Sequence, residues 1–219
     1  MNEPPVQTIE FGTPTHNEKG EIIVQARNTA EQFTEALGNG LNLQMTVIHA
    51  GVIQMGSPRN TGSLDEQLQH LLTIKSFLMG KYLITKGRWK AVLGELPPCR
   101  FKGDNLPVER VSWNDAQKFC QRLSQRTGRN YQLPSETQWE YACRAGTSTP
   151  FRFGETPTVE VANFNGEYTF RAESRGFYFH STSTGRNSHR ISLVSMTSME
   201  INSTGEQHGT VQRTHQCFA

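Results

Sequence analysis

Four cysteines, Cys99, Cys120, Cys143 and Cys217, are the residues of this chain best suited to redox or metal chemistry. They lie far apart and form no Cys-x-x-Cys pair, so a zinc site is unsupported and reduced thiols are the expectation. The seven histidines include no His-Glu-x-x-His or other ligand spacing. Cys120 and Cys143 fall on the apolar faces of two expected helices, where a thiol packs as a small apolar group and is inert. Glu136 and Glu140 come early on the second of these helices, where carboxylates favour the positive end of the dipole. With no histidine or nucleophile near them in sequence, they are read as structural, and no catalytic residue is assigned.

Those two helices are the best-marked elements. Ser112-Trp113-Asn114-Asp115 has the form of a capping box with Asp in place of Glu. Behind it Trp113, Ala116, Phe119, Cys120 and Leu123 share one face, and Gly128 supplies the stop. Ser135-Glu136-Thr137-Gln138 is a second box, with Trp139, Ala142 and Cys143 as its buried stripe and Gly146 as its end. Trp113 and Trp139 are the large apolar anchors of these faces. Thr85 caps a shorter helix through Leu93, weakened by Gly87.

Alternation over Leu41–Ile48 predicts a half-buried strand, with Val52–Gly56 as its hairpin partner. His70–Met79 predicts another strand, with Ile74 and Phe77 in the core, and residues 60–64 form a polar loop. Residues 1–40 are polar and broken by prolines. They read as a linker or N-terminal extension holding a strand at Glu21–Val24 and a short helix over Ala26–Leu37 that stops at Gly38-Asn39-Gly40. Beyond Gly146 the chain is again loop-like. Few helices, short strands and many turns predict an α+β domain with high coil content.

Composition narrows the partners. A net charge of +2 gives no electrostatic reason to expect nucleic acid or an acidic membrane. No apolar run is long enough to span a bilayer, and Met1–Pro5 lacks the pattern of a signal peptide, so a cytoplasmic location is expected.

Several motifs occur in a fixed order: Met55-Gly56-Ser57, Phe77-Leu78-Met79-Gly80-Lys81-Tyr82, Pro107-Val108-Glu109-Arg110-Val111-Ser112-Trp113, Leu133–Ala142 and Ala162-Asn163. Each alone is a weak pattern. As an ordered set spanning about Leu41–Phe170 they resemble the formylglycine-generating enzyme family, also called the sulfatase-modifying-factor domain. The resemblance implies a C-type-lectin-like α+β fold with little regular structure. It also implies a parent activity, the copper-dependent oxidation of a cysteine in a protein or peptide substrate to formylglycine. Many bacterial members instead resemble non-enzymatic, lectin-like binding or accessory modules attached to signalling proteins, which is the alternative function.

In calcium-binding members, the Asn of the Ala-Asn motif and the next residue's carbonyl are ligands. By resemblance these are Asn163 and Phe164, oxygen donors suited to a hard cation. The acidic turn expected to follow is only partly matched by Ala172-Glu173-Ser174-Arg175-Gly176.

The C-terminal segment departs from the family. Copper in active members is held by two cysteines near the end of the domain, as suits Cu(I). Before them runs a stretch close to Asn-x-Phe-Gly-Leu-Tyr-Asp-Met-His-Gly-Asn-Val-Trp-Glu-Trp. Here residues 180–219 are about one-third Ser and Thr, contain no Trp and hold the lone Cys217, which cannot supply a two-thiolate site.

The genetic code offers a cause. When each codon's third base is read with the next two, Asn187–Ile201 permits Phe-Pro-Pro-Asn-Lys-Phe-Gly-Leu-Tyr-Asp-Ile-His-Gly-Asn. Two steps are forced: Met196-Thr197 gives Asp and Met199-Glu200 gives Gly, both as in the family. The offset reading does not extend to Val-Trp-Glu-Trp. The expected organisation is therefore a linker over 1–40, the N-terminal part of the domain over 41–178, and a frameshifted tail over 179–219. A fold incomplete at its C-terminus leaves the faces of Trp113 and Trp139 short of partners, which predicts poor folding and no oxidase activity.

Overall fold

The computed structural model describes residues 5–16, 22–57, 69–147, 162–163, 191–192 and 200–201. Its main sheet begins with a long antiparallel hairpin, β1 (Gln7–His16) and β2 (Ile22–Gly38). β2 passes to β3 (Leu41–Ile48) through Asn39 and Gly40, whose φ angles of 52° and 73° form a tight turn that suits a twisted hairpin. The short helix expected over Ala26–Leu37 is therefore corrected to strand. Ala30, Glu31 and Ala36 favour helix, but the Asn-Gly turn and the alternation of buried Phe33 and Leu37 with exposed Thr34 and Ala36 decide the outcome. The linker reading of 1–40 gives way with it, because Phe33 and Leu37 belong to the main core.

A second correction concerns β4 (Gly51–Met55). It is not the hairpin partner of β3, whose two edges are taken by β2 and by β6 (Phe77–Gly80). β4 instead pairs with β5 (His70–Ile74) in a separate two-stranded sheet. The single strand expected over His70–Met79 is thus two, separated at Lys75-Ser76, and residues 60–64 lie outside the described residues.

Three helices follow the sequence closely. α1 (Lys86–Leu93) starts where the Thr85 hydroxyl accepts from the Arg88 amide, and Gly94 ends it in the left-handed region. Gly87 fits because its amide donates to the Asp104 carbonyl at 2.8 Å. α2 (Trp113–Thr127) carries the Ser112–Asp115 capping box and ends at Gly128. After β7 (Tyr131–Gln132), α3 (Glu136–Arg144) carries the Ser135–Gln138 box. It ends one residue before the expected glycine, with Ala145 itself left-handed at φ 45°.

Residues 162–163 and 191–192 form a parallel pair, β8 (Ala162–Asn163) and β9 (Ile191–Ser192). β10 (Glu200–Ile201) lies between β6 and β7, completing the order β1-β2-β3-β6-β10-β7. The main core packs Phe33, Leu37, Leu43, Met45 and Leu78 of the sheet against Trp89 of α1 and Phe119 and Leu123 of α2. Trp89 and Phe119 stack with ring centroids 5.0 Å apart. A smaller core of Ile53, Ile74 and Phe77, as expected for the last two, is covered by Tyr141 and Ala142 of α3. Trp113 and Trp139, expected as buried anchors, are only half-buried. The Trp113 indole nitrogen is itself shielded from solvent with no acceptor among the described residues.

Candidate functional site

The thiols occupy packed positions. Cys120 is 1% exposed between Phe119 and Leu123 on α2, and burial pushes its thiol up to about 12, far from the thiolate that nucleophilic or Cu(I) chemistry needs. Cys143 is buried on α3. Cys99 is half-buried, with its sulfur 3.8 Å from the Glu109 carbonyl oxygen, and all three are free. They do not fit a copper-holding thiolate pair, and Cys217 lies outside the described residues.

Of the proposed calcium pair, Asn163 has its main chain in β8, opposite Ser192 of β9, while Phe164 and residues 172–176 lie outside the described residues. Among the described residues, no cluster of three or more His, Cys, Asp or Glu side chains is assembled.

The charged groups drawn together in the fold are ion pairs that hold loops. Lys86, at the first turn of α1, is 2% exposed and donates to the Phe101 carbonyl and, at 3.3 Å, to Glu109. Glu109 also accepts from the Phe101 amide at 2.7 Å. Burial acts to raise the Glu109 pKa, but the Phe101 amide and the Lys86 ammonium outweigh it and hold the carboxyl below its ordinary value. The loop over 95–111 is thereby fixed to α1 by one buried charge pair.

A second group joins the sheet to the segment after α2. Glu35 on β2 accepts from Arg129 Nε at 3.0 Å and from the Tyr131 hydroxyl at 2.7 Å. The Arg129 guanidinium lies 4.8 Å from the Phe33 ring centroid. Burial foremost, then the Glu35 carboxylate, pushes the Tyr131 phenol well above its ordinary range, so it acts as a fixed donor. Arg126 reaches the same region, donating to the Ala91 and Leu37 carbonyls at 2.9 and 2.6 Å.

Glu140 is buried and paired with Arg144, with contacts of 2.7 and 2.8 Å, so it is a charge partner and not an open base. The sequence reading had not assigned Lys86, Glu109, Glu35, Arg129 or Tyr131 these roles. Glu109 stood inside a quoted motif, but a pair such as Glu35 with Tyr131 carries no local spacing signal.

Mixed strands, three capped helices and long connections define an α+β scaffold whose polar clusters serve architecture. The chain matches the sulfatase-modifying factor enzyme 1-like domain over residues 30–205 and belongs to that family. The match begins within β2 and runs past Tyr178.

The chain is 31% identical to the chaperone protein LppX of Paenibacillus barcinonensis, over 34% of this chain and 38% of that protein. It is 48% identical to the formylglycine-generating enzyme of Mus musculus over 19% of this chain and 10% of the enzyme. It is 38% identical to the inactive C-alpha-formylglycine-generating enzyme 2 of the same organism, over 29% of this chain and 18% of that protein. These alignments span well under half of each relative's length. Among solved structures, PvdO from Pseudomonas aeruginosa superposes with a TM-score of 0.52 at 27% identity, covering 69% of this chain and 68% of that one. Among the described residues, no helix is long and apolar enough to cross a membrane.

Proposed function

We propose that this chain is a formylglycine-generating-enzyme-like domain that keeps the family scaffold and lacks the oxidase chemistry. The parent activity is oxidation of a cysteine in a protein or peptide substrate. The observation that carries the reading is the burial of Cys120 and Cys143 as packing groups, with the Cys120 thiol held protonated. The relative whose name marks it inactive is a precedent for such a member. The aberrant composition of residues 179–219, where the family's copper ligands belong, supports the same conclusion.

The test is incubation of the purified chain with Cu(I), oxygen and a cysteine-containing peptide, followed by an aldehyde-reactive probe. No peptide aldehyde above the metal-only control is expected. Aldehyde that depends on the protein would overturn the proposal.

Calcium binding by Asn163 and Phe164 is proposed on the chemistry of an amide and a carbonyl oxygen. No step of the reaction is routed through it. A calcium-dependent rise in melting temperature that Asn163→Ala abolishes is the expected result, and an unchanged melt would remove the site.

A further inference from the structure

β10 enters the main sheet from far along the chain. Glu200 and Ile201 pair with Met79 and Leu78 of β6 on one side and with Gln132 and Tyr131 of β7 on the other. β10 is the neighbour that joins β7 to the rest of its sheet.

The two walls of this slot are positioned by contacts of their own. Leu78 and Tyr131 are buried members of the main core. The Tyr131 amide donates to the Ser124 hydroxyl at 2.8 Å, and its phenol donates to Glu35 at 2.7 Å. The walls therefore stand ready before a strand enters, and an empty slot would leave main-chain donors and acceptors unpaired inside a sheet.

The occupant, by contrast, is held by a ladder of two residues, and 68 positions separate Gln132 from Glu200. Closing so long a connection costs entropy that grows with length. A tethered segment of this kind competes at an effective concentration on the order of mM. A second copy of the chain carries the same strand and makes the same main-chain bonds in the same register.

We propose that the slot between β6 and β7 is a strand-acceptor site that takes β10 from a second copy of this chain, producing a reciprocal swapped dimer. Exchange leaves each sheet complete, so it removes no pairing seen within one chain. It rests on the strand register and is independent of whether the family's oxidase chemistry is present.

The test mixes two full-length single variants, Glu200→Cys and Gln132→Cys, under mild oxidation. These positions face each other across the ladder, so a disulfide between the two variants forms only when β10 of one molecule lies beside β7 of the other. The expected product is a dimer holding one copy of each, rising several-fold over the background given by Glu200→Cys mixed with the unsubstituted chain. Linkage at background level at every protein concentration would overturn exchange. The double variant is the second measurement: bonding within the chain when dilute and between chains when concentrated supports the proposal. No bond in either form would show that β10 does not occupy the slot, and would overturn it too.

Discussion

Tyr141 on α3 lies so close to Gly51 at the start of β4 that a Cβ on Gly51 would sit 2.2 Å from the phenol oxygen. The hydroxyl donates to the His49 carbonyl at 3.2 Å, so the ring is tied to the chain it presses against. This contact seats α3 on the small core of Ile53, Ile74 and Phe77. The glycine is thus required by close approach, not by a left-handed backbone.

Gly51→Ala is expected to destabilise the fold by about 1–3 kcal/mol through overpacking. Tyr141→Phe removes the clashing oxygen, and it also removes the bond to His49. In a double-mutant cycle measured by denaturant unfolding, the pair should therefore cost less than the sum of the two single changes. Strict additivity would show that Tyr141 does not constrain Gly51.

The Lys86–Glu109 pair makes stability depend on acid. Glu109 has a folded-state pKa below 4.5, so it contributes stability that is present above its unfolded value and is lost as pH falls through the folded one. Glu109→Gln should cost about 1–3 kcal/mol near neutral pH, where Lys86 loses its anionic partner. It should also flatten the fall in stability below pH 4.5. Denaturant midpoints across that range check both, and an acid slope unchanged by the substitution would remove Glu109 as its source.

How legible was this architecture? All three helices could be located from the sequence, because capping residues and glycine stops are local signals: Thr85, Ser112 and Ser135 all accept the expected backbone bonds. Pairing was not legible in the same way. Val52–Gly56 alternates as a strand whichever neighbour it takes, and only the occupation of both edges of β3 sends it to β5. The Asn39-Gly40 turn was visible but weighed below the helix-favouring run before it. The polar clusters escaped because Glu35 and Tyr131 are neighbours only after α2 has packed on the sheet. Asn163 entered through resemblance alone, and its main chain in β8 does not by itself make a ligand.

Thiol reactivity should separate the cysteines by environment. Cys120, buried and with its pKa pushed up to about 12, should stay unmodified by iodoacetamide in the native protein. Buried Cys143 should be protected in the same way, whereas half-buried Cys99 should react first. Peptide mapping before and after denaturation reads this directly. Native modification of Cys120 ahead of Cys99 would contradict the packing described for α2 and with it the argument against a thiolate site.

The coding sequence tests the origin of the tail without any protein. A one-base shift between about Tyr178 and Asn187 predicts specific codon choices downstream. The third bases of Asn187 to Ile201 should spell the family stretch at the offset, including the synonymous positions that the protein sequence leaves free. Met196-Thr197 and Met199-Glu200 already force Asp and Gly there, so the information lies in the remaining steps. Codons that give unrelated residues at those steps would make the tail a divergent segment of the family domain, in line with a match that reaches residue 205. Codons that restore Phe-Gly-Leu-Tyr before the forced Asp would make β10 a strand supplied by a sequence never selected for the slot. Its place there would then rest on main-chain hydrogen bonding, which any extended segment can offer.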